Sequence, residues 1–486
     1  MNRREFLRQA AALTAVNALP TIAMACDTPP WAIGFKGLTA DLDPLPMRVE
    51  GKVPPGCHGT LYRNGPALYQ RGGQRYQHWF DPDGMVQAFA IGAGGIEHRG
   101  RFVRTRRFDA EQEAGRFLHN GAGTVFPGAE PGRNSDDYNV ANINVQLLDG
   151  ELLALWEAGS AYRVDPDSLA TLGRKDWSAE LRGVPFSAHP RFDEHGELWN
   201  IGSVPFSQQP QLALFHIGAD GGLRKSRVVR LDFPGYMHDF ILTPRYLVAL
   251  NSSAVISSGR TFVNRFAWQA GQPSQLLVFD RNDFALLATI EVPATFVFHF
   301  GNGWERGDEI GFTACRYADD RVVTAAMRKL AMQECGPYPH QPELVRYSID
   351  LVRRRATVEG FGIDLEFPSF DRRSPFLRQP LYGVGGQQSS PSSLASAVVR
   401  VDPVSGAEQR YDYGDGTVVE EPLYVPGSNG DYLVHTLLDY RRQRSGLAIL
   451  RADSLADGPV AMALSERLLP LGFHGCFRPA QPVGAA

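Results

Sequence analysis

Four of the twelve histidines stand in similar apolar settings, beside alanine, methionine or phenylalanine. They are His189, His238, His299 and His474, and the intervals between them are 49, 61 and 175 residues. Neutral imidazole is a ligand suited to iron, zinc or copper. Four such rings would form one metal site if the fold brought them to one point. A lone histidine beside phenylalanine is also typical of a protein core, so spacing alone leaves both interpretations open.

Three glutamates in apolar company could complete such a site. Glu157, Glu366 and Glu421 each adjoin hydrophobic residues, and glutamate is rarely buried unless it is paired. A carboxylate that accepts the second N–H of a ligating imidazole fixes the ring's tautomer and offsets the metal's charge. A strand-end glutamate is the alternative. The seven residues follow one another at intervals of 32 to 67 residues, which suits equivalent positions around one axis.

The elements that must position these residues are predicted to be strands. Short β-prone runs, such as residues 152–156, 276–279 and 432–435, alternate with turns rich in the 50 glycines and 34 prolines. Few stretches show helical periodicity, and residues 325–333 are one. This pattern predicts an all-β fold: a propeller, a large sandwich or several small β domains.

Two features favour the propeller. No Pro/Ser-rich linker divides the body of the chain, and a strand that ends in aspartate before a turn recurs at residues 162–166, 278–281 and 399–403. About 460 residues at roughly 65 per blade give about seven blades. Equivalent positions on the inner strands of a propeller face its central axis, where histidines from different blades would converge.

Charge and cysteine content exclude other classes of protein. The formal net charge is −4 with no basic stripe, so we expect no nucleic-acid partner. The five cysteines form no CxxC pair, which argues against a zinc knuckle or an iron–sulfur cluster. Pairing of Cys315 with Cys335 and free buried thiols both stay open.

The N-terminal residues 1–25 are predicted to be a twin-arginine signal peptide. Arg3 and Arg4 precede an apolar, alanine-rich run over residues 10–24, and the small residues Ala23 and Ala25 suit a signal peptidase. An amphipathic N-terminal helix is the alternative. We expect residues 26–486 to form one soluble propeller domain exported to the periplasm. Lipid anchoring at Cys26 is a minor alternative.

Nine ordered motifs give the chain a resemblance to the carotenoid cleavage oxygenase family from about residue 35 to residue 479. One such motif would carry little weight, but this many in this order are specific. The motifs are YRNGP (62–66), HWFDPDGM (78–85), LLALWE (152–157), AHP (188–190), MHDF (237–240), FHFGNGWE (298–305), LEFP (365–368), EPLYVP (421–426) and GFHG (472–475).

The resemblance implies a seven-bladed β-propeller with a dome of loops and short helices over the metal face. It also implies one Fe(II) on the axis, with O2 as co-substrate. The family's four histidine ligands match His189, His238, His299 and His474. Its three carboxylates that orient those ligands match Glu157, Glu366 and Glu421, so resemblance and spacing select the same seven residues.

The implied reaction is oxidative cleavage of a carbon–carbon double bond in a hydrophobic carotenoid or apocarotenoid, giving two carbonyl products. A second branch of the family cleaves stilbenes and related phenylpropenes, and a propeller that binds such ligands without cleaving them is a further alternative. Phe102, where the stilbene branch has tyrosine, and Trp156 favour the carotenoid branch. We therefore expect both residues in the substrate and oxygen pocket.

The chain also departs from the family pattern. Pro82 and Gln87 stand where glycine and histidine are frequent. Ile143 stands where the family often has a threonine whose methyl group points at the iron, so we expect it in the same pocket. The apolar stripe of residues 325–332 is a candidate for peripheral membrane contact, and a packed helix is the alternative.

Overall fold

The computed structural model describes residues 28–205, 209–336, 338, 341–386 and 394–480. The predicted signal peptide and the proposed lipidation site at Cys26 lie outside the described residues.

Strands dominate the described part of the chain. The first seventeen are β1 Leu42–Gly51, β2 Gly59–Leu68, β3 Gln70–Arg71, β4 Gln74–Arg75, β5 Asp83–Gly92, β6 Gly95–Phe102, β7 Asn144–Leu148, β8 Glu151–Leu155, β9 Tyr162–Val164, β10 Thr171–Arg174, β11 Arg191–Phe192, β12 Leu198–Val204, β13 Gln211–Ile217, β14 Leu223–Arg230, β15 Phe240–Leu242, β16 Tyr246–Asn251 and β17 Ala254–Ile256. The rest are β18 Phe266–Trp268, β19 Ser274–Asp280, β20 Leu286–Val292, β21 Phe296–Arg306, β22 Glu309–Tyr317, β23 Glu343–Asp350, β24 Arg355–Gly360, β25 Glu366–Ser369, β26 Leu381–Gly385, β27 Ala397–Val401, β28 Glu408–Asp412, β29 Thr417–Val419, β30 Leu423–Val425, β31 Tyr432–Asp439, β32 Arg444–Arg451, β33 Pro459–Leu464 and β34 Gly475–Pro479.

Helices in the described residues are short. Two are α-helical, α1 (Arg106–Ala114) and α2 (Met327–Ala331), and a π-helical segment over Val322–Ala326 leads directly into α2. Single 3-10 turns occur at Pro30–Phe35, Pro55–Cys57, Ser135–Tyr138, Val263–Arg265 and Leu455–Asp457.

The sheets have the antiparallel, sequential order expected of propeller blades. Five have four strands each: β7 to β10, β11 to β14, β15-β16-β19-β20, β21 to β24 and β25 to β28. A ten-stranded sheet joins the two ends of the described chain, in the order β29-β31-β32-β33-β1-β6-β5-β2-β34 with β30 beside β31. The all-β, propeller-like fold is confirmed. The predicted number of seven blades is not confirmed, because only five sheets stand apart as blades.

Alternating burial packs one sheet against the next. In β20 the side chains of Ala288, Ile290 and Val292 are buried, and the residues between them are exposed. They join one core cluster with Val297 of β21 and Phe312 of β22, which belong to the following sheet. A strand of period two can bury one face in this way while its other face meets solvent.

The helix predicted over residues 325–333 forms as the π-helical segment and α2, and its apolar stripe faces inward. Leu330 packs in one cluster with Trp31 and Phe35, whereas Ala326 and Met327 line a cavity. The stripe is therefore not an exposed membrane patch. None of the described helices is long and apolar enough to cross a membrane.

The cysteines and α1 add two details that the sequence left open or hid. Cys57, Cys315 and Cys476 are buried free thiols, so the alternative Cys315–Cys335 pair does not form.

Helix α1 was not predicted from the sequence. The Thr105 hydroxyl caps it by accepting a hydrogen bond from the Phe108 N–H, and Gly115 ends it in the left-handed conformation.

Candidate metal centre

Sheet edges bring the four predicted histidines together. One residue separates His189 from the start of β11, and one residue separates His238 from the start of β15. His474 directly precedes β34, and His299 lies within β21. Each of these four strands is an edge strand of a different sheet. A residue at the start of a terminal strand can face the space that several blades share, which explains why ligands distant in sequence meet.

The four imidazole rings form one compact, buried cluster. The ring centroid of His189 lies 4.3 Å from that of His238, 5.0 Å from His299 and 4.7 Å from His474. The possible ligand atoms of His189, His299 and His474 all lie within 4.8 Å of one another. His238 stands outside that tight trio but beside it, with its centroid 5.3 Å from that of His299.

Irregular backbone aims two of the site residues. The register of β21 against β22 shifts on both sides of Phe300, so His299 lies in a bulged stretch. A bulge bends a strand and re-aims its side chains. Glu366 has a second irregularity beside it, because the register of β25 shifts there and Phe367 adopts φ of 53°. Positive φ is rare for a bulky residue and is held by surrounding packing; the Phe367 ring lies 5.2 Å from that of His299.

Each predicted glutamate contacts the Nδ1 atom of one histidine. Glu157 Oε1 lies 3.2 Å from Nδ1 of His238, Glu366 Oε2 lies 2.5 Å from Nδ1 of His299, and Glu421 Oε1 lies 2.9 Å from Nδ1 of His474. A carboxylate accepts only, so Nδ1 carries the proton and donates. This tautomer leaves Nε2 of each of the three rings with a lone pair for a metal ion.

A further layer of side chains, which the sequence did not reveal, holds the glutamates. The Tyr236 hydroxyl donates to Glu157 Oε2 at 3.0 Å and lies 2.7 Å from His238 Nδ1. Tyr317 bonds Glu366 through its hydroxyl. The sequence could have indicated Tyr236, because it stands two residues before His238. Residues i and i+2 of an extended chain lie on the same face, so the two side chains are expected to be neighbours.

Glu421 is held by an arginine instead of a tyrosine. The guanidinium of Arg63 donates to Glu421 Oε2 at 2.8 Å and to the carbonyl of Phe473 at 2.9 Å. The Arg63 side chain is 2% exposed, so this is a buried ion pair that also fixes the backbone before His474. Arg63 lies 358 residues from Glu421 in the sequence, and no local pattern connects them.

Burial and the carboxylates set the charges of the cluster. Burial, reinforced by the neighbouring imidazoles, holds the pKa of His189 well below its usual value. Burial likewise lowers the pKa of His474 to about 4 against the opposing effect of Glu421. Burial also lowers the pKa of His299, but the Glu366 carboxylate outweighs it and the net shift is upward. Burial therefore favours neutral imidazole, the form that binds metals, at His189 and His474, and the Glu366 carboxylate favours a cation at His299.

The residues present fit a metal ion. Nε2 of His189 and Nε2 of His299 are buried and have no hydrogen-bond partner within the described part of the chain, although buried polar atoms are nearly always paired. A cation bound by both nitrogens would satisfy them. Neutral imidazole donors backed by carboxylates suit a first-row transition metal such as iron or zinc.

Three cavities lie at or near the cluster. One is polar and is lined by His189, His299, His474 and Arg191 among others; the other two have more apolar walls. Of these two, the first cavity is lined by His238, His299 and His474 and by apolar side chains, among them Trp79, Leu330, Leu394, Val418 and Leu471. The second cavity is lined by Trp156, Glu157, Phe262 and several polar residues, among them Arg260. Phe80 and Ile143 line both cavities. Loops and the short helical segment before α2 thus cover the histidines and leave apolar space next to them.

The predicted pocket residues differ in where the structure places them. Ile143 and Trp156 line the cavities. Phe102 lines neither of them; its ring stacks on Phe108 of α1 at 5.3 Å, in a cluster with Met85 and Phe117. Phe102 is therefore not among the residues that line these two cavities, and its place in the substrate pocket stays a prediction. Phe102 ends β6, and α1, which the sequence did not reveal, covers it.

Other histidines are bonded within the protein and stand apart from the cluster. His78 is buried, and its Nε2 lies 2.9 Å from the carbonyl of Val323. The polar neighbours of His98 in the sequence predict a surface residue, but His98 is fully buried and its Nε2 contacts Gln87 Oε1 at 3.0 Å. The alternation of β6 points His98 inward, between the exposed Glu97 and the half-buried Arg99.

Comparison with known proteins agrees with this geometry. The profile of the retinal pigment epithelial membrane protein (RPE65) family matches residues 36–479. Apocarotenoid-15,15'-oxygenase of Synechocystis sp. is 30% identical over 477 residues, covering 92% of this chain and 95% of that protein. Isoeugenol monooxygenase of Pseudomonas nitroreducens is 27% identical over 464 residues, covering 90% and 95%.

A solved structure shows the same fold. The crystal structure of cobalt-substituted apocarotenoid oxygenase from Synechocystis superimposes with a TM-score of 0.84 at 26% identity, over 93% of this chain and 99% of that one. The match of the profile to most of the chain, together with the identity of the relatives, establishes the family. The chain belongs to the RPE65 family of carotenoid cleavage oxygenases.

Proposed function

We propose that this protein is an Fe(II)-dependent dioxygenase that cleaves a carbon–carbon double bond of a carotenoid or apocarotenoid and forms two carbonyl products. The observation that carries the proposal is the buried cluster of His189, His238, His299 and His474, which opens onto an apolar cavity. In the overall reaction both atoms of O2 enter the products, one on each carbon of the broken bond, so no external reductant is needed.

The four histidines would hold the iron, and Glu157, Glu366 and Glu421 would orient three of them. Iron(II), when bound, supplies a centre at which dioxygen is activated. The Nδ1 protons stay on the imidazoles, because each faces a carboxylate that accepts a hydrogen bond. None of these three histidines is therefore free to act as a proton base, and the glutamates contribute by fixing ligand geometry.

The cavity walls would orient the substrate. Apolar side chains such as Leu330, Leu394 and Leu471 hold a hydrocarbon chain and exclude water from the reacting bond. Phe80 and Ile143, which line both cavities, would determine which double bond faces the metal. Ile143 keeps an apolar surface there but has no hydroxyl with which to bind water or oxygen.

Two relatives support different substrates. Apocarotenoid-15,15'-oxygenase is the more similar of the two, at 30% identity, and Phe80, Trp156 and the leucines give an apolar lining suited to a polyene. The second candidate is cleavage of a stilbene or phenylpropene, which is favoured by the 27% identity to isoeugenol monooxygenase.

A panel of substrates tests the proposal. Iron-loaded protein would be given an apocarotenal, a stilbene and a phenylpropene, with oxygen uptake and product masses as readouts. We expect one O2 per double bond and the largest rate with the apocarotenal. His238→Ala should lose iron and uptake, whereas His195→Ala, whose side chain is 75% exposed, should keep both. Absence of uptake with all three substrates would refute the proposal and favour a non-catalytic binding role.

A seven-bladed count is part of the same proposal. The strand order of the ten-stranded sheet supports it, because β1 joins a group of β2, β5, β6 and β34 to a group of β29 to β33. Each group resembles one four-stranded blade, and the two together with the five separate sheets would give seven.

Export by the twin-arginine route is also proposed, from Arg3, Arg4 and the alanine-rich run that follows. A route that carries folded proteins suits a chain that binds its metal before export. Lysine at both positions should keep the protein in the cytoplasm, and the mass of the mature chain would show whether it begins at Cys26 and carries lipid.

A further inference from the structure

The second cavity extends from Glu157, which contacts His238, to the exposed residue Arg260. Trp156, Phe262 and Ile143 supply its apolar surface. A substrate arm in this cavity would therefore begin beside the metal and finish near Arg260.

Most of the charged side chains that line this cavity are already engaged. Asp81 accepts hydrogen bonds from Gly123 N–H and from the Thr124 hydroxyl. Arg107 is buried, with its guanidinium bonded to Glu111 and to the Tyr76 hydroxyl. These groups are committed to the structure and have little capacity left for a ligand.

Arg260 differs from them. Its backbone carbonyl accepts from Asn120 Nδ2 at 3.5 Å, but its guanidinium has no hydrogen-bond or ion-pair partner among the residues that the structure describes. Ser135 and Tyr138 line the same cavity and add hydroxyl groups. The Tyr138 hydroxyl accepts from Gly132 N–H at 2.7 Å, so its own proton remains available. The polar groups left over here are hydrogen-bond donors.

The first cavity offers no such cation. Apart from the histidines, its polar lining consists of carboxylates, tyrosines and the indole N–H of Trp79, and no lysine or arginine is among its described lining residues. Glu420, one of these carboxylates, is held by a hydrogen bond from the Gly472 N–H. The two cavities thus present different chemistry to the two arms of a molecule that passes over the metal.

We propose that the second cavity binds the oxygenated end of the substrate, a terminal carboxylate or carbonyl, through Arg260, while the first cavity takes a purely hydrocarbon arm. The inference rests on the proposed function and deepens it by naming Arg260 as the residue that recognises the oxygenated end of the substrate. Because the two ends bind in different cavities, the bond that faces the metal is fixed and the substrate has one orientation.

The guanidinium makes this preference physically reasonable. It presents a planar fork of donors that matches a carboxylate bidentately, and it donates less strongly to a single carbonyl oxygen. Removing one charge-assisted hydrogen bond of this kind weakens binding by about 10-fold, and removing a bond to a neutral oxygen weakens it by about 3-fold. A hydrocarbon end gains nothing from the guanidinium.

Binding measured without turnover tests the inference. Three polyenes of equal length, ending in a carboxylate, an aldehyde or a methyl group, would be titrated anaerobically into iron-loaded protein by quenching of tryptophan fluorescence. For Arg260→Gln we expect affinity for the acid to fall about 10-fold, for the aldehyde about 3-fold, and for the hydrocarbon not at all. Arg260→Lys should restore most of the affinity for the acid, because it restores the positive charge.

Arg230→Gln is the matched control, since Arg230 is an exposed arginine at the end of β14, the outer strand of its sheet. It should leave all three affinities unchanged. Equal weakening of all three ligands by Arg260→Gln, or of none, would overturn the role of Arg260 while leaving the oxygenase proposal intact. Failure of the parent protein to bind any of the polyenes would overturn the proposed function, and the inference with it.

Discussion

At the metal centre, Glu366 makes the shortest of the three contacts between a glutamate and a histidine. Its carboxylate lies 2.5 Å from Nδ1 of His299, and this contact raises the pKa of His299 despite full burial. A carboxylate that stabilises a proton on a buried imidazole also stabilises a metal cation on the same ring. Its negative charge, and not only its shape, is therefore predicted to matter.

Replacing Glu366 by glutamine tests this role. The amide still accepts a hydrogen bond but carries no charge, so we expect iron affinity to fall about 10-fold, at the low end of the range for groups that support metal ligands. Competition with a chromogenic chelator measures the affinity. Glu113→Gln, on the exposed side of α1, provides the control. An unchanged iron affinity in Glu366→Gln would show that the carboxylate is not part of the metal site.

His98 carries a pH prediction that is independent of the metal. Burial, with a smaller effect of Arg467, lowers its pKa to about 3, whereas an unfolded histidine titrates near 6.5. The unfolded chain binds a proton below about pH 6.5 that the folded chain does not, so stability is complete above that pH and falls as the pH drops toward 3. At pH 5 the loss from this residue is about 2 kcal/mol.

Free energies of unfolding at pH 7 and pH 5 check this expectation. The difference between the two values should be about 2 kcal/mol smaller in His98→Gln than in the parent protein. His195→Gln, which changes an exposed histidine, should behave like the parent. If His98→Gln kept the full pH dependence, His98 would have to be protonated in the fold.

Residue types, spacing and family motifs were enough to select the seven residues that the structure brings together. They were not enough for Tyr236, Tyr317 and Arg63, because a hydrogen bond between distant strands leaves no local pattern. They misplaced His98, and did not show the packing of Phe102, for a related reason. The neighbours of a residue in sequence do not show which element covers it, and here α1 covers Phe102.

At the scale of elements, the close approach of β2 to the segment before β34 positions His474. Asn64 N–H donates to the carbonyl of His474 at 2.9 Å, and Phe473 N–H donates to the carbonyl of Asn64 at 2.9 Å. A Cβ atom on Gly65 would lie 2.4 Å from the Cα of Gly472. Glycine at position 65 is therefore needed for the approach, since backbone stands in the way of any side chain.

Gly65→Ala is predicted to push this segment outward and move His474. Such overpacking costs about 1 to 3 kcal/mol, and we expect both the free energy of unfolding and the bound iron to decrease. Gly92→Ala is the matched control, because nothing lies within 4 Å of a Cβ atom there. A Gly65→Ala protein with full iron occupancy and unchanged stability would contradict this account of how His474 is placed.

The strands were predictable and the helices were not, for a physical reason. Strand runs such as β8 and β31 combine β-prone residues with turns, and the structure contains them. Helix α1 buries Arg107, Phe108 and Glu111, and the ion pair between Arg107 and Glu111 substitutes for the apolar stripe that periodicity detects.

At the scale of the whole molecule, the four histidines lie at the edges of four different sheets. His189, His238 and His299 belong to three consecutive four-stranded sheets, and His474 belongs to the sheet that joins the two ends of the described chain. A metal ion bound by all four would crosslink those sheets. Because such a site does not exist in the unfolded chain, metal binding adds directly to stability.

Removal of iron is therefore predicted to lower the melting temperature. With free Fe(II) at 100 times its dissociation constant, the metal contributes about 2.7 kcal/mol. Calorimetry of iron-loaded, chelator-treated and reloaded protein measures the effect, and reloading should restore the higher value. Equal melting temperatures in all three samples would mean that the ion does not join the sheets.

The number of blades could not be established from the sequence, because it depends on pairing between strands that are far apart in the chain. Strand content and turn spacing predicted a propeller-like arrangement of about seven units. The described residues form five separate four-stranded sheets and one ten-stranded sheet, beside two two-stranded sheets. Hydrogen bonding of β1 to both β6 and β33 merges strands from the two ends of the chain. No local pattern in a single sequence shows that pairing.

X-ray absorption spectroscopy at the iron edge tests most directly whether these four imidazoles, which are distant in the sequence, bind one metal ion. Protein loaded anaerobically with Fe(II) should hold one iron per chain with imidazole scattering that fits four rings, and each His→Ala variant at positions 189, 238, 299 and 474 should lose a ring or the metal. Iron coordinated by sulfur, iron without imidazole scattering, or protein that cannot retain the metal would contradict the account.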